Sequence, residues 1–596
     1  MKPRENIHDP MHGLMQGHNR IGRKREVSHE RNREPHHGGN PKRSEPQKRK
    51  GGIHHMKKLL AYLLITMLVL GTTGLALAED PLGKFDPPVK ATYARNAGLD
   101  MKFLEGQSYT ENIWMTEYLE DLGIELETVW TAEGVESYNS RLQLSILDQD
   151  IPDIFVCNPS QFELLVEADM LEDLTDVLAA YQSDLVKENL MADGGLGLSQ
   201  ATVQGRVYGL PQASVGDGKM MYVFLRDDWR IKLGLPEPKT MEDILAMAKA
   251  FTFDDPDGNG AADTYGLGIS NKPYETYFAL AGFFNGYGGF MDQWIEKDGA
   301  LEFGLIQPEI KTALGVLHQA FEDGLISPEF IVTDSYQVSQ DAIAGRTGIN
   351  FGEWWCLGWP LVDGVRIDQS WRAYPILYAE GVTEQKIGTK AKLENRYVVR
   401  KGYEHPEALV KMYNLFQERV MSMKYDTFKY KLDETGVYSI EGLAPIAPVI
   451  GHDRNMRNHI VVTEAIDTGN TAGLENIDQE NLYGKATKFI ASEWANMDEY
   501  ADFYVAYWGN IGPDSIYGIL KQYGDNGMFK RDVYYGSDTE AMTNYAAQLR
   551  SNAEEMILSI ISGEAPLDSF DDFVASWKAL GGDEMTQEVN EWYAQL

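Results

Sequence analysis

Val89-Lys90-Ala91-Thr92-Tyr93-Ala94-Arg95, Ile124-Glu125-Leu126-Glu127-Thr128-Val129-Trp130 and Asp153-Ile154-Phe155-Val156-Cys157 are three short strand-like runs. Between the first two, Glu111 to Leu122 reads as a helix ending at Gly123. Between the last two, Val135 to Leu147 reads as a helix with apolar positions at Leu142, Leu144 and Ile146. Strand, helix, strand, helix, strand is the order of a parallel, doubly wound α/β sheet. Ligands of such sheets sit beyond the carboxyl ends of the strands, which points to Arg95, Asn96 and Asn158 as cleft residues. Asn158-Pro159-Ser160 reads equally well as a turn followed by a helix cap.

Working back from this block, Leu59 to Leu77 is apolar, preceded by Met56-Lys57-Lys58 and followed by Ala76-Leu77-Ala78. That order predicts a secretory signal peptide at 56–78, cleaved after Ala78. The rival is a retained anchor, and both readings put residues 79–596 outside the membrane. No cysteine stands at the end of the signal to carry a lipid. Residues 1–55 hold 13 Lys/Arg, 6 Asp/Glu and 8 of the 12 histidines, with no Trp, Tyr, Phe or Cys. They read as a disordered basic leader, with a nucleic-acid-binding tail as the functional reading, or as a stretch that is not translated; Lys50-Gly51-Gly52 can encode a ribosome-binding signal, which predicts Met56 as the true start.

Residues 79–596 are 518 in number. They keep 39 of the 54 Lys/Arg and 84 of the 90 Asp/Glu, a net charge of −45. So acidic a surface argues against nucleic acid and anionic membrane as partners. The length predicts at least two lobes. Cys157 and Cys356 each lie in apolar context and read as buried free thiols, with a disulfide between them the alternative. Four histidines remain after residue 55, and neither HExxH nor paired-Cys spacing occurs, which argues against zinc.

Downstream, Arg206 to Pro211, Met220 to Arg226 and Arg396 to Arg400 read as extended. Thr240-Met241-Glu242-Asp243 starts a helix, another follows His405-Pro406-Glu407, and the chain is helical from about Thr539. Two stretches carry chemistry. In Asp255-Pro256-Asp257-Gly258-Asn259-Gly260-Ala261-Ala262-Asp263, oxygens at loop positions 1, 3, 5 and 9, Gly at 6 and the carbonyl of Ala261 at 7 suit calcium. Gly266 stands at position 12 where an EF-hand has Glu, and the alternative is a polar Asp/Gly turn. In Phe351-Gly352-Glu353-Trp354-Trp355-Cys356-Leu357-Gly358-Trp359-Pro360, three indoles in a broken segment cannot all face one core. Flat aromatic faces stack on sugar rings, and Phe503 to Asn510, with Trp508, repeats the theme. For any one of these tryptophans, core packing is the competing reading. GxSxG and P-loop motifs are absent.

Taken together, residues 79–596 resemble the extracellular solute-binding proteins of ABC importers, in the carbohydrate-type branch. The resemblance is carried by Ile151-Pro152-Asp153-Ile154, Val207-Tyr208-Gly209-Leu210-Pro211, Arg226-Asp227-Asp228-Trp229, the Asp255–Asp263 loop, Gly352-Glu353-Trp354-Trp355 and Gly402 to Ala408. The ending Phe570-Asp571-Asp572-Phe573, Trp577 and Val589 to Tyr593 also matches. The alginate-oligosaccharide binders are similar and carry such a calcium loop, which implies Asp255, Asp257, Asn259, Ala261 and Asp263 as ligands of a structural calcium. The resemblance implies a type II periplasmic-binding-protein fold of two doubly wound lobes, with solute held between them. Lobe one is expected from 79–215 and 395–505, lobe two from 216–394 and 506–596, with crossings near Leu210–Tyr222 and Asn395–Arg400. Expected ligand contacts are Trp354, Trp355, Trp359, Trp508, Asn158, Gln212 and Asn96. The expected function is carbohydrate capture by a non-enzymatic monomer and delivery to an ABC permease. The rival is a secreted polysaccharide lyase or glycosidase, which needs a placed pair of carboxylates or a Tyr/His/Arg base set.

Overall fold

The computed structural model describes residues 79–596 except 99–100, 216–219, 423, 426, 431–438 and 451–453. The leader at 1–55 and the export segment at 56–78 lie outside the described residues. Among those described, no helix is long and apolar enough to cross a membrane.

The opening block folds in the order its pattern predicts: β1 Val89–Ala97, α1 Ile113–Glu120, β2 Ile124–Glu133, α2 Val135–Leu147 and β3 Ile154–Cys157. β1 pairs in parallel with both β2 and β3. Asn112 caps α1 by accepting the N–H groups of Trp114 and Met115. On α2, Tyr138, Leu142 and Ile146 repeat every four residues and are buried, whereas Leu144, two residues off that stripe, is exposed. Leu144 is therefore not a core residue. The sheet is completed by β4 Leu210–Pro211 and β9 Arg396–Val399, in the order β2-β1-β3-β9-β4, with β9 antiparallel to both neighbours.

A second sheet is built from β5 Met221–Arg226, β6 Tyr265–Leu267, β7 Thr347–Glu353 and β8 Trp371–Tyr374, in the order β8-β5-β7-β6. β7 runs parallel to β6 and antiparallel to β5, and β8 is also antiparallel to β5. β7 and β8 thus end on the same side, where Met221 enters the sheet. These are the two α/β lobes.

Three segments join them. Residues 212–215 leave β4 toward β5, residues 390–395 lead from a short strand at Ile387–Thr389 into β9, and the chain leaves the first lobe again after Ile450. The first and third run side by side: Val449 N–H donates to Gln212 O (2.8 Å) and Ser214 N–H to Val449 O (3.0 Å). Helices Arg454–Thr468, Ile477–Ile490 and Met497–Tyr504 pack with a π-helical turn at Val505–Ile511, Met497–Tyr504 also packs with Leu361–Arg366, and Tyr504 O–H donates to Trp371 O in β8 (2.8 Å). Glu540–Ser562 lies against Pro308–Glu322, and the final helix Asp583–Tyr593 against the hairpin strand Ala300–Phe303. Cys157 ends β3 in the first sheet while Cys356 follows β7 in the second; both are free and buried. Burial pushes the Cys157 thiol up to about 12.

Candidate functional site

All seven residues of β7 are buried, and the strand ends at Glu353 opposite Met221, beside the first crossing. The chain then makes a tight 3₁₀ turn, Trp354–Leu357, which splits the aromatic run by direction. Cys356 and Leu357 turn inward and are fully buried. Trp354 and Trp359 turn outward and keep 38% and 45% of their surface exposed. Trp355 is half-buried, and its indole N–H donates to Glu353 Oε2 (3.1 Å). Trp355 stacks on Trp359, with ring centroids 5.8 Å apart at 26°. Tyr277 lies 5.4 Å from both rings. Trp354 stands apart from this pair, 6.2 Å from Tyr517, whose hydroxyl accepts from Asn455 Nδ2 (2.7 Å). The end of β7 therefore carries two open aromatic faces, one on each side of a packed tryptophan.

Tyr277, Tyr517 and Asn455 were not among the residues picked from sequence. Tyr277 was within reach, because it follows the parallel strand β6 in an aromatic run. Tyr517 and Asn455 arrive through long-range packing and carry no local signal.

The Val505–Ile511 turn that carries Trp508 packs against the Trp354–Leu357 turn, but the Trp508 ring is engaged by Arg372. The Arg372 guanidinium lies 4.3 Å over its ring, and Tyr507 meets it edge-on at 5.0 Å. Arg372 sits opposite Leu225, about 13 Å along β5 from Met221. Its charge is met by Glu237 Oε1 (3.3 Å), Asp227 (3.9 Å) and Asp514 (3.9 Å). An indole used to cover a buried guanidinium is packing for that ion group.

On the first lobe, Asn158 caps the helix Pro159–Glu167: its side chain accepts Gln161 N–H (2.9 Å), and Gln161 closes a capping box. Its side-chain oxygen is thus engaged at the end of β3. Asn96 is exposed near the end of β1, while Arg95 is buried and donates to Leu443 O and Gly442 O, both at 2.9 Å. Gln212, half-buried in the first crossing, donates from Nε2 to Tyr397 Oη (3.3 Å).

The acidic loop lies at the foot of the helix Met241–Phe253, whose cap is Thr240 with Asp243 closing a capping box. Asp255 carboxylate oxygens accept the N–H groups of Gly258 and Gly260. The Asn259 amide nitrogen sits between two carboxylates, 2.7 Å from Asp257 Oδ2 and 3.2 Å from both oxygens of Asp263. Among the described residues no three His, Cys, Asp or Glu side chains are gathered as a metal cluster. Gly266 accounts for the missing twelfth ligand. It lies in β6, and a Cβ there would overlap the Ala248 backbone of the helix. The loop thus exits into a strand pressed on that helix, where no Glu can stand.

Comparison with known proteins agrees with this architecture. The bacterial extracellular solute-binding protein family matches residues 104–410. The Polygalacturonan/rhamnogalacturonan-binding protein YtcQ of Bacillus subtilis is 26% identical over 250 residues, 41% of this chain and 45% of that protein. The chain thus spans about half the length of the curated relatives it matches first. An HMO binding ABC-transporter associated solute binding protein from Bifidobacterium longum infantis superposes with a TM-score of 0.56 at 17% identity, covering 85% of this chain and 98% of that one. The S. pneumoniae substrate binding protein FusA, as an EF-hand mutant in complex with fructo-nystose, superposes with a TM-score of 0.53 at 14% identity, covering 85% and 99%. With two doubly wound lobes, three crossings and this family match, the chain belongs to the bacterial extracellular solute-binding proteins.

Proposed function

We propose that the protein captures an oligosaccharide between its lobes outside the membrane and hands it to an ABC permease. The observation that carries this reading is the pair of open indole faces, Trp354 and Trp359, at the carboxyl end of β7 and beside the crossings. An exposed indole next to a hinge offers a sugar ring an apolar platform, and hydroxyls are met by polar groups such as Asn96 and Gln212 from the other lobe. Contacts from both lobes favour the closed form, which a permease can then recognise. Trp355 supports the platform through its stack with Trp359, and Asn158 acts mainly as a helix cap. The names of the relatives support carbohydrate as the ligand class. We draw the lobe boundary after residue 450 rather than 505, because Val505–Ile511 and Ile516–Asp525 pack with β8 and the helices between 454 and 504 pack with Val505–Ile511. We assign export to the 56–78 segment and take the working state to be a monomer.

In the same reading, Asp255, Asp257, Asn259, Asp263 and the Ala261 carbonyl hold a calcium ion. The Asn259 amide N–H group stands between the Asp257 and Asp263 carboxylates of this exposed loop, where a cation would fit the charge. The ion would neutralise the carboxylates and brace the loop. FusA, with its EF-hand mutant, supports this.

Titration with an oligosaccharide panel, followed by chromatography of the sugar, tests the function. Binding with the sugar recovered intact is expected. Shortened or unsaturated products would favour the lyase or glycosidase reading.

A further inference from the structure

The second crossing is gripped from both lobes, and the two grips leave one residue between them. On the second-lobe side, Ile387–Thr389 pairs in parallel with the strand Phe529–Arg531. Gly388 N–H donates to Asn285 Oδ1 (3.2 Å), and Thr389 O accepts from Gln293 Nε2 (2.6 Å) and from Asp532 N–H (2.9 Å). Asn285, Gln293 and Thr389 are all buried. These bonds make 387–389 part of the second lobe.

On the first-lobe side the grip is a single side-chain amide. Gln200 ends the short helix Leu196–Ser199 and meets the crossing as a neighbouring strand would: its Nε2 donates to Ala391 O, and Leu393 N–H donates to its Oε1, both at 2.7 Å. With donor and acceptor of one rigid plane both engaged, the backbone of 391–393 is fixed in position and direction. The backbone oxygen of Gln200 accepts from Arg396 Nη2 (3.2 Å) at the start of β9. Ala391 and Leu393 are buried with Val215 of the first crossing in a small apolar cluster that Leu196 completes. Val215 N–H donates to Asp193 Oδ2 (3.1 Å), and Gln212 N–H to Asn395 O (3.0 Å). The first crossing is thus bound to the first lobe as far as Val215, and the second from Ala391 onward.

Lys390 is the residue left over. Its ammonium reaches back to Asp292 of the second lobe, bonding the backbone oxygen (2.6 Å) and Oδ2. Lys392 reaches the second lobe as well, through Asp538 Oδ1 (2.8 Å). Both pairs join solvent-accessible, flexible side chains, which tether the crossing without fixing its backbone.

We infer that the second crossing bends at Lys390, and that Gln200 is the positioning residue that puts the pivot there. A change of backbone angles at this one residue swings the lobes and breaks neither grip. Its bearing on sugar capture rests on the interlobe reading; the pivot itself does not.

The test is the distance distribution between the lobes, read by pulsed electron spin resonance on the protein without sugar. Spin labels are attached at Asp148→Cys in the first lobe and Asp323→Cys in the second, both exposed positions, while Cys157 and Cys356 are buried and stay unlabelled. Lys390→Gly is expected to broaden the distribution about 1.5-fold or more against Lys390→Ala, because glycine frees the backbone while both variants lose the Asp292 pair. Lys392→Gly against Lys392→Ala, inside the Gln200 grip, is expected to leave the width unchanged. Gln200→Met, of the same length without the amide, should broaden it and speed hydrogen exchange of Leu393 N–H about fivefold or more. Ile387 N–H, which donates to Met528 O, should exchange as in the parent. Gln200→Glu keeps an acceptor for Leu393 N–H and should restore part of its protection. A residue that served packing alone would lower the melting temperature and leave the width unmoved well below it. The inference is overturned if glycine is no broader than alanine at 390, if glycine at 392 broadens as much as at 390, or if Leu393 in Gln200→Met exchanges at the parental rate. Should Gln200→Met fail to fold, the 390 and 392 pairs decide alone. Every width is taken without sugar, so failure of interlobe capture leaves these outcomes standing, and their failure leaves the aromatic wall standing.

Discussion

Replacing Trp354 with Ala separates a ligand platform from a core residue. Its side chain keeps 38% of its surface open. Of about 250 Å2 for an indole, that leaves about 95 Å2 available to a sugar. Covering all of it at about 25 cal/mol per Å2 contributes about 2.4 kcal/mol, and covering one face about half of that. The dissociation constant for a bound oligosaccharide should therefore rise about 8- to 60-fold in Trp354→Ala. The folding cost should be modest, about 1 kcal/mol, because the ring's recorded aromatic neighbour is Tyr517 at 6.2 Å. Trp114 and Trp371, both 0% exposed, are the comparison: alanine there should cost about 3–5 kcal/mol. The assay pairs ligand titration by intrinsic fluorescence with urea melts of the three variants. If Trp354→Ala melts as early as Trp114→Ala while its folded fraction binds at the parental affinity, Trp354 is a packing residue and the interlobe site has been put in the wrong place.

Three other outcomes follow from the same structure. Gly266→Ala drives a methyl into the Ala248 backbone and should destabilise by about 1–3 kcal/mol or more, whereas Gly484→Ala, in a helix with nothing within 4 Å of the new Cβ, should stabilise by about 0.5–1 kcal/mol; equal melting temperatures would contradict both. Chelator should lower the melting temperature of the parent and leave Asp257→Ala unmoved, since an ion held only by the folded state stabilises it by mass action; a parent indifferent to chelator refutes the calcium assignment. Asp532 is half-buried, and desolvation pushes its carboxyl up to about 6, above its unfolded value near 3.9, with the opposing charge of Lys390 too weak to restore it. The folded state then binds the extra proton, so this group's contribution to stability falls as pH rises from about 4 to 6. Asp532→Asn keeps an oxygen for Trp294 N–H and Tyr534 N–H, and should raise stability at pH 7 by on the order of 2–3 kcal/mol with no gain at pH 4; a gain independent of pH would refute the titration.

The order of elements was legible because it is local. Alternating residues in β1 and β2, the caps Asn112, Thr240 and Thr539, and the left-handed Gly563 that stops the long helix Glu540–Ser562 act within a few residues of themselves. The aromatic run was legible for a related reason: a Gly/Pro-broken stretch of ten residues holds more indole than one face can bury, and the 3₁₀ turn after Glu353 sends part of it outward. What needed the tertiary structure was the fate of each side chain where distant segments compete for it. Trp508 looks like Trp354 in sequence, but it covers Arg372, a residue 136 positions earlier, because a guanidinium lodged at that edge of the second sheet needs a lid. Asn158 could have faced a cleft, yet its oxygen serves the nearer N–H of Gln161. Gly266 reads as a missing ligand until the helix pressed against it is seen. Backbone pattern depends on neighbours along the chain and so is written there; side-chain assignment depends on which groups packing brings within a few ångströms, and no local pattern encodes that.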